Sequence, residues 1–278
     1  MKILRVFPRR TNATPDDENV RFGIPTLFDQ ADQIHVSVTW TWDKPKAEKL
    51  ARAWEVVASV KVGGPAYDDH GGEFEPGMYL KKGYVMTSRG CPNNCWFCSV
   101  PKREGKVREI PVKEGWNILD SNLLACSRSH IVDVFEMLKK QTNKPHFSGG
   151  FEAARIEEWH INYLVDLKPK VIWFAYDTSD DWEPLVLASR ILQKAGLINA
   201  SHIVRCYVLI GWDKDSIDSA EKRLLDVTNL GMMPMAMLYD HGAHRKNDRD
   251  QWIKFTREWA NPFIVGSKMK ECSGICGV

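Results

Sequence analysis

The sequence predicts an α/β protein built on a parallel sheet, and three observations carry that prediction. From about residue 82, six strand-like segments recur along the chain. Stretches with helical spacing separate most of them. Ahead of these, residues 34–66 read as one strand-helix-strand unit. Alternating strands and helices imply a parallel sheet with right-handed crossovers. The chain has 278 residues, 44% of them hydrophobic, enough to bury a substantial core. That length accommodates one barrel-sized domain with an appendage, or two small domains.

Taken in order, residues 11–33 mix Thr, Asn, Asp and Pro with a few apolar residues and read as mostly irregular. Ile34, Val36, Val38, Trp40 and Trp42 then alternate with polar residues, the period of a strand. Leu50, Trp54 and Val57 follow at helical spacing, with Glu48 and Arg52 as an i,i+4 pair. Val60-Lys61-Val62-Gly63-Gly64-Pro65 reads as a second strand entering a turn. The six later strands are expected at 83–87, 116–119, 145–148, 171–176, 203–210 and 234–238. Ile131, Val134, Phe135 and Leu138 mark a helix with Ser129 as its expected N-cap. Ile156, Trp159, His160 and Tyr163 mark the next. Another opens at Pro184 and stops at Gly196. A further helix opens near Asp215, carries Ile217, Ala220, Leu224 and Val227, and stops at Gly231. The last carries Trp252, Phe255 and Trp259. Between the first two of the six strands, Gly105 and Pro111 interrupt 101–113, and no full helix fits there. These elements divide the chain into an N-terminal α/β extension (1–80), a six-stranded body (81–240) and a C-terminal helix and tail (241–278).

Formal net charge is +2, so bulk charge does not point to nucleic acid. The first ten residues are basic but contain no apolar signal region. No apolar run approaches the ~18 residues needed to span a bilayer. The expectation is a soluble, cytoplasmic protein with reduced thiols.

Three of the seven cysteines stand close together in Gly90-Cys91-Pro92-Asn93-Asn94-Cys95-Trp96-Phe97-Cys98, a C-x3-C-x2-C run on a loop containing Gly and Pro. A [4Fe-4S] cluster normally takes four thiolates, so three local ligands would leave one iron open for a substrate or cofactor. Structural zinc usually takes four ligands from two separated knuckles, and no matching Cys or His pair stands nearby. A disulfide framework fits poorly with an odd cysteine count and no secretory signal. Inert thiols are the remaining alternative.

At these residues the chain resembles the radical S-adenosylmethionine (SAM) superfamily, whose signature is this spacing with an aromatic where Phe97 stands. The resemblance implies that Cys91, Cys95 and Cys98 hold a [4Fe-4S] cluster and that SAM chelates its fourth iron. It implies one-electron cleavage of SAM to methionine and a 5'-deoxyadenosyl radical, which takes hydrogen from a substrate. It also implies an external flavodoxin- or ferredoxin-like electron donor. Six strands, with the cysteine loop after the first, match that family's incomplete (β/α)6 barrel. In parallel barrels the active site lies at the carboxyl ends of the strands.

Further cofactor contacts follow from the same resemblance. Ser148, Gly149 and Gly150 follow the third strand, where the family places Gly-Gly-Glu on the amino group of SAM; here Phe151 takes the third place and Glu152 comes one later. A tight strand-to-helix turn would account for the same glycines. Asp177, ending the fourth strand, is a candidate ribose contact. Leu209-Ile210-Gly211 resembles the adenine-binding segment, with Tyr207 where its first Gly would stand. Arg205 shares a strand face with Tyr207 and would suit the SAM carboxylate, or form an ordinary ion pair. Phe97 would pack near the adenine.

Other features stay open at this level. Cys272 and Cys276 would hold a second cluster or lie in a loose tail. Cys126 and Cys206 are thiyl candidates or small buried hydrophobes. Lys102 to Arg108 is either a phosphate- or carboxylate-binding stretch or a solvated loop. His70, His241 and His244 stand near loop ends. Most of the eleven tryptophans read as core, with Trp182 and Trp212 able to stack on a planar substrate. Val62-Gly63-Gly64-Pro65 resembles part of the cobalamin-binding domain found ahead of some radical SAM barrels, but the D-x-H-x-x-G pattern is absent, so no cobalamin is expected. The expected substrate is a nucleoside, a nucleobase or another small metabolite. An activase that places a glycyl radical on a partner protein, and a non-enzymatic iron-sulfur electron carrier or binding module, are the competing readings.

Overall fold

The structure, a computed structural model, describes residues 1–69, 73–239 and 249–275, with side chains described as far as 269 in the last helix. The side chains of His70, His241, His244, Cys272 and Cys276 therefore lie outside the described residues. The fold is mixed α/β with parallel strand pairing, and the chain divides into two compact units, Met1–Asn117 and Ile118–Val278.

In the first unit, β1 (Ile3–Val6), β2 (Val20–Arg21), β3 (Gln33–Ser37) and β4 (Ser59–Gly63) form a sheet in the order β2-β1-β3-β4. Every pair in it is parallel. Helix α1 (Lys44–Trp54) crosses from β3 to β4 and buries Ala47, Leu50, Ala51 and Trp54 with Leu4, Val6, Ile34, Val36 and Val38. The sheet is larger than the strand-helix-strand unit expected from the sequence. Strand β1 gives no alternating signal because Leu4, Arg5 and Val6 are all buried, as in strands covered on both faces. Arg5 is accommodated by the Asp17 carboxylate and by the carbonyls of Gly77 and Met78.

Strand β3 ends at Ser37, five residues short of the expected end at Trp42. The Val38 N–H donates to Gly63 O at 2.9 Å and Ala66 N–H donates to Val38 O at 3.0 Å. The chain then enters a single 3-10 turn at Thr41–Asp43. Trp40 and Trp42 consequently leave the sheet and stand in solvent, 43% and 60% exposed. The rest of this unit contains β5 (Tyr84–Val85), β6 (Ser88–Arg89), the short helix α2 (Val100–Glu104) and β7 (Arg108–Glu109). β6 and β7 pair antiparallel, Ser88 with Glu109 and Arg89 with Arg108.

The second unit alternates strand and helix as expected: β8 (Asn117–Ile118), α3 (Arg128–Lys139), β9 (His146–Phe147), α4 (Glu158–Leu167), β10 (Val171–Tyr176), α5 (Trp182–Lys194), β11 (Val204–Ile210), α6 (Ile217–Asn229) and β12 (Met233–Leu238). Helices α7 (Arg249–Ala260) and α8 (Pro262–Ile275) follow. The strands of this unit lie in the sheet order β12-β11-β10-β9-β8, and β9 to β12 pair in parallel. One face, with Phe147, Ile172, Phe174, Cys206, Val208 and Ala236, is buried. Phe135 of α3 packs edge-on against Phe147 from that side. On the other face His146, Ala175, Arg205, Tyr207 and Met235 are only half-buried. The N-cap of α3 is Ser127, whose hydroxyl accepts from His130 N–H at 3.3 Å; Ser129 sits inside the first turn. α4 turns His160, Ile161, Leu164 and Leu167 inward, leaving Trp159 and Tyr163 at its flank.

Candidate functional site

The cysteine loop, in the first unit, is fastened at its start. Gly90 sits at φ +83°, and a Cβ there would lie 2.3 Å from Lys106 O, so the backbone approaches too closely for a side chain. Gly90 N–H donates to Glu104 Oε2 at 3.1 Å and Cys91 N–H to Gly105 O at 3.1 Å. Glu104 is buried and its Oε1 accepts from Arg103 Nε at 3.1 Å, while Arg108 donates to Glu104 O at 3.1 Å. Glu104 and Gly105 thus fasten the end of α2 to the start of the loop, and two cations of the basic stretch 102–108 bond to Glu104 itself. At the far end, Cys98 N–H donates to Cys95 O at 3.1 Å, a tight turn that leads into α2.

Cys91, Cys95 and Cys98 are all partly exposed. Among the described residues, no three His, Cys, Asp or Glu side chains are gathered as a metal-holding group. The donor set itself fits an iron-sulfur centre: three soft sulfur ligands on one irregular loop, fastened at its start, with each cysteine partly exposed. Phe97 packs edge-on against Trp96 at 5.4 Å between ring centroids, and Trp96 is 58% exposed.

In the second unit, several of the residues singled out from the sequence stand at the carboxyl ends of strands. Ser148 and Gly149 both donate their N–H to Ile118 O at 3.0 Å, and Phe151 N–H donates to Trp173 O at 2.7 Å. A Cβ on Gly149 would lie 2.1 Å from Asp120 O, and Gly150 sits at φ +93°. Both glycines are therefore required by the backbone itself. Between them and Phe151, the Gly150 N–H has no acceptor among the described residues, which leaves one donor at this edge for a ligand. Glu152 is engaged elsewhere: its Oε2 accepts from Asn122 at 2.6 Å and from Arg155 at 2.5 Å.

Asp177 follows β10. Its carboxyl is pushed up to about 7, first by burial and then by the neighbouring Asp181 carboxylate, against the pull of a hydrogen bond from the Leu209 backbone. Asp181 caps the turn instead: its Oδ2 accepts from Asp177 N–H at 3.0 Å, Thr178 N–H at 2.7 Å and the Thr178 hydroxyl at 3.1 Å. Gly211 follows β11 at φ +78°, with Leu238 and Trp252 filling the space a Cβ would need. Its N–H donates to Asp215 Oδ2 at 2.7 Å. Asp215, with a fully buried side chain, is clamped by Arg223 Nη2 at 2.8 Å, and Arg223 lies 4.4 Å over the Trp212 ring. Trp212 is thus the partner of an internal cation, and Trp182 packs on Tyr176 at 5.4 Å.

Arg205 lies at the other end of the sheet. It is near the start of β11, donates to His202 O at 3.3 Å and stands 5.5 Å from the Trp173 ring, which itself stacks on Tyr207 at 4.0 Å. The strand separates Arg205 from Gly211 by about 20 Å at the usual rise per residue. A ligand at the carboxyl edge near Gly211 is beyond its reach, so Arg205 leaves the set of cofactor contacts. Cys206 is fully buried, donates to Tyr207 O at 3.4 Å, and burial raises its thiol well above the ordinary range; it behaves as a small core residue. Cys126 is partly exposed, after β8. The sequence reading did not find the Glu104 and Asp215 carboxylates that fix these loops, because a buried acid and its partner carry no local pattern. No helix among the described residues is long and apolar enough to cross a membrane. Compared with known proteins, the chain matches no family model and no curated sequence.

Proposed function

We propose that this chain is a radical SAM enzyme whose substrate is a nucleoside, a nucleobase or another small metabolite. The observation that carries the reading is the C-x3-C-x2-C run on a loop pinned at Gly90 and Cys91, with all three cysteines partly exposed. In this reading Cys91, Cys95 and Cys98 hold a [4Fe-4S] cluster. When bound, the cluster supplies one electron to SAM and so yields methionine and a 5'-deoxyadenosyl radical able to take hydrogen from a substrate. Glu104, through Gly90 N–H, holds the loop entrance in place. The Gly150 N–H, the Asp177 carboxyl and the backbone at Gly211 are the groups assigned to SAM, with Ser148 and Gly149 shaping the turn and Phe97 assigned to the adenine. An acid that titrates near 7 can accept from or donate to a ribose hydroxyl. The six-stranded sheet is read as an incomplete (β/α)6 barrel, and the electron donor as a small flavodoxin- or ferredoxin-like protein in the cytoplasm.

The test is anaerobic reconstitution with iron and sulfide, reduction, and addition of SAM. The expected result is a cluster absorbance band, a changed electron paramagnetic resonance spectrum on adding SAM, and 5'-deoxyadenosine as product. Cys95→Ala should lose all three, while Cys206→Ala should retain them. A normal cluster that neither responds to SAM nor yields 5'-deoxyadenosine would sink the proposal.

A further inference from the structure

The first unit carries an arrangement that the proposed chemistry does not use. In its sheet the chain runs from β1 outward to β2, then returns to the other side of β1 for β3 and β4. The strand order therefore reverses between β1 and β3. Open parallel sheets bind ligands in the crevice outside the carboxyl ends of the strands at such a switch point. The residues that follow β1 there are Phe7, Pro8, Arg9 and Arg10; those that follow β3 include Trp40, Thr41, Trp42 and Asp43.

Trp40 and Trp42 stack in parallel at this edge, with ring centroids 5.1 Å apart and planes at 6°. Both are exposed, Trp42 by 60%. The fold gains little from holding two large rings in water, yet it fixes them. Asp43 N–H donates to Trp40 O at 3.0 Å and closes the turn that carries both rings. The same Asp43 grips Arg9 from the β1 side with two bonds, Nε to Oδ2 at 2.7 Å and Nη2 to Oδ1 at 2.8 Å. That side-on clamp leaves Arg9 Nη1 and its two hydrogens without an acceptor among the described residues. Arg10 is exposed beside it, 4.8 Å from the Phe22 ring. An exposed, preset aromatic face flanked by oriented guanidinium is what a base and its phosphate need: stacking tolerates any base, and arginine supplies donors to phosphate oxygens.

We propose that the crevice between β1 and β3 binds a nucleotide, with its base stacked on the Trp40–Trp42 pair and its phosphate at Arg9 and Arg10. The shared chemistry has two sources, a free nucleotide or one residue of a single-stranded RNA. The site is independent of the cysteine loop, so it can be tested on the full chain without an iron-sulfur cluster, and its failure would leave the radical SAM reading untouched.

The experiment is calorimetric titration of the full chain with AMP, adenosine, inorganic phosphate and a short oligoadenylate. AMP should bind, adenosine more weakly by a few-fold, and phosphate alone more weakly than AMP. Trp42→Ala should weaken AMP roughly ten-fold or more, the scale of one stacked base, and Trp42→Phe should restore most of it. Arg9→Met should close the gap between AMP and adenosine. An oligomer that binds much more tightly than AMP assigns the site to an RNA strand; equal or weaker binding assigns it to free nucleotide. Circular dichroism checks that each variant is folded. No binding of either AMP or the oligomer at millimolar concentration, or binding that Trp42→Ala leaves unchanged, would overturn the proposal, and a gap that survives Arg9→Met would remove Arg9 from it.

Discussion

A carboxyl at the end of a parallel strand is usually expected to be ionised, and Asp177 departs from that. Burial and the charge on Asp181 raise it from 3.8 to about 7. The unfolded chain releases the Asp177 proton near the ordinary value, while the folded chain keeps it to near neutrality. Between those limits the native state binds more protons, so stability is fully present below about pH 4 and declines as pH rises toward 7. The slope from this group is at most about 1.4 kcal/mol per pH unit. Asp177→Asn should remove that slope: in urea titrations the variant gains on the wild type between pH 4 and 7, and the gap stays constant above. A gap that does not change with pH would place the titration elsewhere. The sequence showed an acid at this strand end because the strand and its polar terminus are local. It could not show the shift, because the largest cause is the depth of the site, which is set by packing, and the Asp181 charge adds to it only once the turn folds the two carboxyls together.

At the scale of elements, what was legible depended on how one-sided the burial is. Helices α5, α6 and α7 follow their apolar spacing closely, since each buries one stripe: Leu185, Ala188 and Leu192; Ala220, Leu224 and Val227; Trp252, Phe255 and Trp259. Strand β1 leaves no alternating pattern because both of its faces are covered, and the alternation of β3 runs past its end because Trp40 and Trp42 continue it into a turn. The cysteine loop was legible as a motif, but its fastening by Glu104 was not. The same is true of the joint between β11 and α6. There Arg223 pairs with the buried Asp215, donates to Leu209 O at 3.1 Å, and leaves Asp215 to hold Gly211 N–H. A buried pair adds little net stability when intact, but breaking it strands a charge. Arg223→Met should therefore cost about 3–5 kcal/mol, measured as a fall in the urea midpoint. A loss below about 1 kcal/mol would mean that water, not the arginine, satisfies Asp215.

Across the whole molecule, tryptophan is the residue whose use divides most sharply. Trp54, Trp252 and Trp259 are at most 2% exposed, whereas Trp40, Trp42 and Trp96 are between 43% and 60% exposed. Spacing alone assigned nearly all of them to the core, because an aromatic in phase with a strand or helix looks the same whether or not that element continues. The two groups should separate by stability. Replacing Trp54 or Trp259 with alanine removes a ring packed on all sides and should cost about 3–5 kcal/mol. Replacing Trp42 removes one stacking contact and little buried area, so its cost should stay near 1 kcal/mol or less. Urea midpoints for these variants decide the matter on one scale. A Trp42→Ala loss as large as that of Trp54→Ala would mean that the pair is structural and that the crevice beside it needs no ligand to account for the rings. A small loss would mean that folding does not explain why two tryptophans are fixed in parallel at the carboxyl edge of a parallel sheet, and binding is then the explanation with a physical basis.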